Sequence, residues 1–511
     1  MATRRPDLSS PGGTRIGRPG PLARDSLWSL AAILQVGLSA AAFNALVGRF
    51  LGQAALGQAG LVLAIGLGGA QVATAGLAPA ITRFGAARLA AGDPAGARRA
   101  LGGGLAVAIG LGAGLAIALL RLGPGRAEGL GLPPGGLVAS AGLLALQSAY
   151  IALKAALYGL GRVGAYARSE LPAALAFAAF LAALLAGAPL SLVSPFLAAN
   201  LVFTLRAAWL LARAWPERRA AGEAPPAVAP AAIGADAARV ARGTRMPRYA
   251  LIASVGSAAA LARLQLVLLF TAALWSVEEV GRLQAALTFL PPVLLLPRAL
   301  ELALLPRLAH DWGGADRASF RRRTDAALRL SALGLSLAAG GLGLAAGWLL
   351  PALFGAEFGV ALPALRWTLL AAWSLGLASP AVTALSGADG VAVPNAAGLA
   401  GLATSLLAWA IWLPEGGASA AAAGLAAGSL VNAGIPLVWA IRRYQLAARP
   451  LLASLSRSGL LLLAGGLLLA RWPAAALGIA LAYVVLLALW EGRRLWPGQA
   501  LRRAAAPEIA R

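Results

Sequence analysis

A transmembrane helix needs about 20 consecutive apolar residues, and this chain of 511 residues supplies fourteen stretches of that kind. They fall near residues 26–47, 56–80, 101–120, 136–157, 171–187, 192–213, 249–274, 282–305, 329–351, 363–386, 392–412, 418–440, 451–470 and 473–491. Nearly the whole chain is thereby committed to lipid or to helix packing within it, and the expected fold class is an all-α polytopic membrane protein. Composition excludes the soluble alternative. Only 12% of residues are charged and 59% are hydrophobic, with a mean hydropathy of +0.77, whereas a soluble domain carries about a quarter charged residues.

Charge placement sets an expected orientation, because cytoplasmic connections collect arginine. Arg4, Arg5, Arg15, Arg18 and Arg24 precede the first stretch. Alternate connections then hold Arg83, Arg88, Arg98 and Arg99, next Arg162 and Arg168, then the region from Arg213 to Arg248. The pattern continues through Arg317 to Arg329, Arg442 to Arg457 and Arg493 to Arg511. The opposite connections are short and poor in arginine, with Arg121 and Arg126 as the main exceptions. Both termini are therefore expected in the cytoplasm, with the chain a multi-pass protein of the inner (plasma) membrane and no cleavable signal in the Pro/Gly/Arg-rich residues 1–24.

The net charge of +24 raises the question of a nucleic-acid partner, but the basic residues are scattered between apolar runs instead of gathered on one wet face. No nucleic acid is expected. Cysteine is absent and His310 is the only histidine, which leaves no ordinary zinc site, disulfide or thiolate chemistry. No catalytic residue, metal or cofactor is expected. A P-loop would need GxxxxGK[ST], and Lys154, the one lysine, sits in IALKAAL.

The chain also repeats itself at an offset of 224 residues. Arg24 precedes the first helix as Arg248 precedes the seventh; Gly57 opens the second as Gly281 opens the eighth, and Pro79 and Pro306 are expected to close those two helices. Six helices per unit is an even number, so the halves share orientation about an axis along the membrane normal. The expected organisation is a tail at 1–25, a six-helix bundle at 26–213, a Pro/Ala-rich linker at 214–247, a second bundle at 248–440, two further helices at 441–492 and a basic tail at 493–511.

Four segments carry a family resemblance: GRFLGQAALGQAG at 48–60, VEEVGRLQAAL at 277–287, LLPRLAHDW at 304–312 and LFGAEFGVALPALRWTLLAAW at 353–373. In these the chain resembles the oligosaccharide flippases of the multidrug/oligosaccharidyl-lipid/polysaccharide (MOP) superfamily, which export lipid-linked glycans. The resemblance implies two six-helix bundles forming a V around a central cavity, plus two C-terminal helices. It implies a lipid-linked oligosaccharide and membrane lipids as partners, with polysaccharide-assembly proteins alongside, and a monomeric transporter without enzymatic activity. Many relatives carry an Asp-Arg pair in the seventh helix; here those positions are Val267 and Leu268.

A pyrophosphate-linked cargo calls for cations inside the bundle. Arg263, mid-way along the seventh helix, is expected to face a wet cavity or a partner, since a charge there costs about 2.5–3.5 kcal/mol on insertion scales. Arg298 has Glu301 three residues on, so an intrahelical ion pair competes with substrate binding. Arg206 and Lys154 lie toward the cytoplasmic ends, where snorkelling competes. Arg49, at the outer end of the first helix, is a gate or substrate contact, or an interfacial anchor. Gln35, Asn44, Gln71 and Asn200 could hydrogen-bond sugar hydroxyls or join helix to helix. Pro291, Pro292 and Pro297 are expected to kink the eighth helix, and residues 306–329 to lie on the membrane surface.

Three other classes compete. A membrane glycosyltransferase or polymerase usually presents a carboxylate or base in a large external loop, and the outer connections here are short. A cation-coupled multidrug exporter of the same superfamily typically places an acidic residue within the bundle, and the first six hydropathy stretches hold none away from their ends. A lipid-linked peptidoglycan precursor flippase typically carries an arginine-aspartate signature in its first helix, which is missing.

Overall fold

The computed structural model describes residues 21–90, 92–122, 125, 129, 131–215, 246–388, 390 and 392–495. The 1–20 portion of the N-terminal tail, most of the linker and the 496–511 portion of the C-terminal tail lie outside the described residues.

The first helical run, Pro21–Leu63, breaks at Gly52 (φ 85°, ψ −179°), a conformation open in practice only to glycine. Residues 21–51 are α1. Residues 53–74 are α2, which passes through a π turn at Ala64–Gly68 and is followed by a helical extension, Leu77–Ala90. Then come α3 (Pro94–Leu120), α4 (Gly136–Gly159), α5 (Val163–Leu185) and α6 (Ser194–Ala214). The second half opens with α7 (Met246–Leu274). Next is α8, residues 277–313, in three pieces that interrupt at 288–289 and 294. α9 runs over residues 317–354 with a π turn at Ser336–Gly340, and α10 is Leu362–Gly387. The long run Ala392–Tyr444 breaks at Gly417 (φ 51°, ψ −140°), which divides it into α11 (392–416) and α12 (418–444). Last are α13 (Ala448–Arg471) and α14 (Ala476–Leu495).

Among the described residues twelve helical runs are long and apolar enough to cross a membrane; two of them fold back at Gly52 and Gly417, which gives the fourteen crossings expected from hydropathy. An even number puts the start of α1 and the end of α14 on one side, called here the terminal side, and Gly52 on the other.

Helices α1–α6 form an N-lobe and α7–α12 a C-lobe. One apolar cluster, with Leu101, Leu157, Tyr166 and Phe203, lies wholly within the N-lobe; a second, with Leu308, Phe320, Leu385 and Tyr444, lies within the C-lobe. The largest cluster bridges the lobes, joining Phe43 and Val47 to Val280, Phe289 and Phe354. α13 and α14 attach to the outside of the C-lobe, where Tyr483 and Leu487 pack on Leu333 and Leu344. Arg457 pairs with Glu491 at 2.5 Å, tying the two helices together.

The two lobes meet through the repeat itself. A Cβ on Gly57 would collide with the Val277 carbonyl, and one on Gly281 with the Gln53 carbonyl. Since 53 and 57 correspond to 277 and 281, each element packs on its partner's equivalent in an isologous contact, and a pseudo-twofold passes between Gly57 and Gly281.

Several details differ from the expectations. α3, α5 and α9 begin a turn or more before their apolar stretches, because arginine-bearing residues extend the helices beyond the hydrocarbon. Pro79 and Pro306 do not close helices: residue 79 lies in the first turn of Leu77–Ala90, where proline is tolerated, and α8 continues to Gly313. Residues 306–329 are not a separate segment, although 313–318 and 321–323 are exposed. They are the ends of α8 and α9, with Trp312 and Phe320 packed on Tyr444 and Asp311 joined to Arg323 at 3.2 Å.

Candidate transport site

The lobes are latched on the Gly52 side. Arg49 Nη1 donates to the Ala352 carbonyl at 2.5 Å, and Gln53 Nε2 to the Glu357 carbonyl at 2.7 Å. Arg282 Nε donates to Gln53 Oε1 at 3.0 Å and its guanidinium pairs with Glu279. The second Glu279 oxygen accepts the Ala418 N–H at 2.8 Å, at the Gly417 break. Three of the four resemblance segments, around 48–60, 277–287 and 353–358, thus converge on one inter-lobe contact. Arg49 bridges the lobes from an exposed position.

Toward the terminal side from this latch lies a cavity of about 230 Å³ between α1, α2 and α6 of the N-lobe and α7 and α8 of the C-lobe. Its polar lining is Asn44, Gln71, Gln265, Gln284 and Thr288, and among the described residues no charged side chain lines it. Asn44 Nδ2 donates to Thr288 Oγ1 across the lobes at 2.9 Å, while the buried Asn44 Oδ1 has no partner among the described residues.

Two of the nine candidate residues line this space, Asn44 and Gln71. Arg263 does not. Gln265, two residues on, faces the cavity, and two residues of an α-helix turn about 200°, so Arg263 points the other way. It is 1% exposed, lies beside Gly401 inside the C-lobe, and among the described residues its Nε and Nη1 have no hydrogen-bond partner. Arg206 is exposed next to the exposed Leu205 and Trp209, a snorkelling position on the lobe's outer face. Asn200 donates to its own helix at the Phe196 carbonyl, 2.9 Å, and Gln35 Nε2 to Ser39 Oγ at 3.1 Å; neither lines the cavity. Arg298 and Glu301 form no ion pair within 4.0 Å among the described residues; both are exposed.

Lys154 has a setting that its sequence context hides. Its Nζ stands 4.6 Å from the Tyr166 ring centroid and 5.6 Å from that of Tyr150, within cation–π range. Tyr150 donates its hydroxyl to Glu170 Oε1 at 2.7 Å, and Glu170 is only 5% exposed. The N-lobe therefore does hold a buried carboxylate, on α5, whose helix begins earlier than its apolar stretch. Both Glu170 on α5 and Arg298 on the C-lobe helix α8 lie within electrostatic reach of Lys154.

A second space of about 1,280 Å³ runs between α9, α10, α13 and α14. Its walls are leucines, glycines, alanines, Trp348 and Trp373, with Arg366, Ser336, Ser458 and Tyr483 as its polar points. Tyr483 donates its hydroxyl to the Ser336 carbonyl at the α9 π turn, 2.8 Å.

No family model and no curated protein matches the chain. Solved structures do. An inward-facing multidrug resistance MATE family transporter of the MOP superfamily matches at TM-score 0.63 and 14% identity, covering 82% of this chain and 98% of its own. The lipid II flippase MurJ in an inward closed conformation matches at 0.62 and 12%, covering 92% and 99%. An outward-facing MATE family transporter of the same superfamily matches at 0.56 and 12%, covering 83% and 96%. The chain has the fold of MOP-superfamily transporters.

Proposed function

We propose that the chain is a flippase that carries a polyprenyl-pyrophosphate-linked oligosaccharide from the cytoplasmic to the outer leaflet by alternating access. The terminal side, where the arginines collect, is cytoplasmic on this reading, and the Gly52 latch closes the outer face. The higher similarity to inward-state structures than to an outward-facing one accords with that state.

The observation that carries the reading is the pairing of two unlike compartments. An amphiphilic cargo needs polar surface for its head and apolar surface for its tail. The amide-lined inter-lobe cavity offers hydrogen bonds to sugar hydroxyls, while the 1,280 Å³ apolar groove offers a lipid chain a protein-lined seat. That groove depends on α13 and α14. MurJ covers about a tenth more of this chain than the MATE structures do, roughly the size of those two helices. For the pyrophosphate, the candidate cations are Lys154 and Arg298, one from each lobe, whose charges bear on one another.

One observation favours the cation-coupled multidrug exporter as second reading: the cavity lining is neutral and the N-lobe holds the buried acid Glu170. A lipid-linked peptidoglycan precursor is a narrower choice of cargo within the first reading. Deletion of the gene, followed by analysis of surface glycans and lipid-linked precursors, separates these outcomes. Loss of a surface glycan with accumulation of its lipid-linked unit supports the proposal. Intact glycans with raised drug sensitivity would replace it by the second reading.

A further inference from the structure

The polar groups of the inter-lobe cavity are four side-chain amides and one hydroxyl, with no charged side chain among the described residues that line it. We propose that the cavity selects one uncharged sugar ring of the cargo and discriminates against acidic sugars. The ring is read by the Asn44 carbonyl oxygen together with the amides of Gln71, Gln265 and Gln284. The inference rests on the flippase reading above and names the class of sugar that this site takes.

The orientation of Asn44 follows from its partner. Thr288 has one hydroxyl hydrogen and donates it to the Gln284 carbonyl, one turn back, at 2.9 Å. Toward Asn44 the hydroxyl therefore accepts, so the Asn44 amide turns its nitrogen to Thr288 at 2.9 Å and its carbonyl oxygen away. That oxygen is buried without a partner among the described residues, on a residue only 7% exposed, an arrangement that stays unfavourable until a donor meets it. The side-chain amides of Gln71, Gln265 and Gln284 also make no hydrogen bond among the described residues, and all three residues are half-buried. Glycines of the N-lobe seat two of them across the lobe boundary: a Cβ on Gly68 would strike the Gln265 side chain at 2.2 Å, and one on Gly60 would press on that of Gln284 at 3.2 Å. The two lobes thus hold one shared set of amides.

This pattern selects by chemistry. A sugar hydroxyl both donates and accepts, as a carboxamide does, so a neutral ring satisfies the amide N–H groups and the carbonyl oxygens alike, Asn44 Oδ1 included. A carboxylate or phosphate only accepts. It would leave the Asn44 oxygen unmet and would lie in the cavity without a counter-charge, which burial makes unfavourable. A cationic guest would likewise find no carboxylate in the lining. Size narrows the guest further: about 230 Å³ is on the order of eight waters at their share of liquid volume, enough for one sugar ring and too small for an oligosaccharide. The pyrophosphate then belongs outside this cavity, with the cations.

The test measures binding to the purified full chain in detergent at neutral pH by calorimetry, with three probes: farnesyl pyrophosphate, its glucosyl ester and its glucuronosyl ester. The two sugars differ only in a hydroxymethyl against a carboxylate. Wild type is expected to bind the glucosyl probe about tenfold more tightly than the bare one, the effect of one or two net hydrogen bonds, and the glucuronosyl probe no more tightly than the bare one. Asn44→Leu, which keeps side-chain bulk and removes the acceptor, should bring the glucosyl-to-bare ratio down toward one, and Gln71→Met should lower it as well. Equal affinity for the glucosyl and bare probes, or for the two sugars, overturns this proposal and leaves the lipid-linked reading standing. A ratio unmoved in both variants overturns the assignment of the sugar to this cavity, and failure of wild type to bind any probe overturns both readings. The comparison of probes on wild type needs no variant, so a misfolded Asn44→Leu chain does not remove the test.

Discussion

Replacing Gly57 or Gly281 by alanine should open the Gly52 side of the protein, the outer side in the orientation proposed above. Either new methyl would meet backbone on the opposite lobe: on Gly57 the Gly281 nitrogen at 2.9 Å as well as the Val277 carbonyl, on Gly281 the Gln53 carbonyl carbon at 2.8 Å as well as its oxygen. Backbone cannot rotate away as a side chain can, so the lobes must separate at this point. Overpacking of this kind costs about 1–3 kcal/mol, and it falls only on the state in which the lobes touch here. The population of that state relative to the alternatives then falls about 5- to 150-fold, at about 1.4 kcal/mol per factor of ten. The double variant should cost less than the sum, because a separation made for one methyl also accommodates the other. The native chain has no cysteine, so Ala41→Cys, which places a thiol in the cavity wall, gives a single reporter. Labelling by an impermeant maleimide added outside the cell should rise in Gly57→Ala and Gly281→Ala backgrounds. Gly347→Ala, where nothing lies within 4 Å of the new methyl, is the control and should leave it unchanged. Unaltered labelling in both variants at normal membrane abundance would refute the inter-lobe packing argued here.

Three further outcomes are expected. Cysteines placed singly at Glu278 and Arg322, at the starts of α8 and α9, should label from opposite faces of the membrane; labelling from one face would break the helix count. Glu491→Gln should loosen α13 from α14, because it leaves Arg457 without its buried partner; loss of one member of a buried pair costs about 3–5 kcal/mol, read as a lowered unfolding temperature in detergent, and an unchanged midpoint would contradict it. Asp93 caps α3 by accepting the Gly96 N–H at 2.7 Å and pairs with Arg88, and these bonds hold its carboxyl below the ordinary value of 3.8. A lowered value means stability fully present above pH 3.8 and lost as pH falls through the folded-state value, so the gap in unfolding temperature between wild type and Asp93→Asn should be constant near neutrality and shrink in that acid window.

The spans were legible because lipid leaves an unbonded backbone no partner, so each crossing must be a helix of apolar residues. The equivalence of Gly57 and Gly281 was legible in the repeat, but not that the two meet: backbone contact tolerates no Cβ, so both halves keep glycine at the same place. Glu170 escaped because hydropathy locates the hydrocarbon, not the helix. Arg162 and Arg168 made residues 162–170 read as a connection, whereas α5 already begins at Val163 and carries the acid inward. Arg263 shows a second limit. α7 is apolar on nearly every side, so no hydrophobic stripe marks which face meets the other lobe, and the difference between the faces of Arg263 and Gln265 is set only by packing.

The irregular helices argue that the central pair is built to bend. α2 loosens into a π turn at Ala64–Gly68, and α8 interrupts at 288–289 and 294 around Pro291 and Pro292. Those places correspond under the 224-residue repeat, although the first is made from glycine-rich sequence and the second from proline. In each a hydroxyl serves a nearby carbonyl: Ser140 Oγ donates to Val62 at 3.4 Å, and Thr288 Oγ1 to Gln284 at 2.9 Å. Kinks in helices have such identifiable causes, and here unlike causes produce the same defect at the same depth, beside the same cavity. A defect needed only for static packing would have no reason to recur across the pseudo-twofold in different chemistry. Recurrence is what the alternating access proposed above requires: two central helices hinged at one level below the Gly52 latch, so that opening one end of the lobes closes the other.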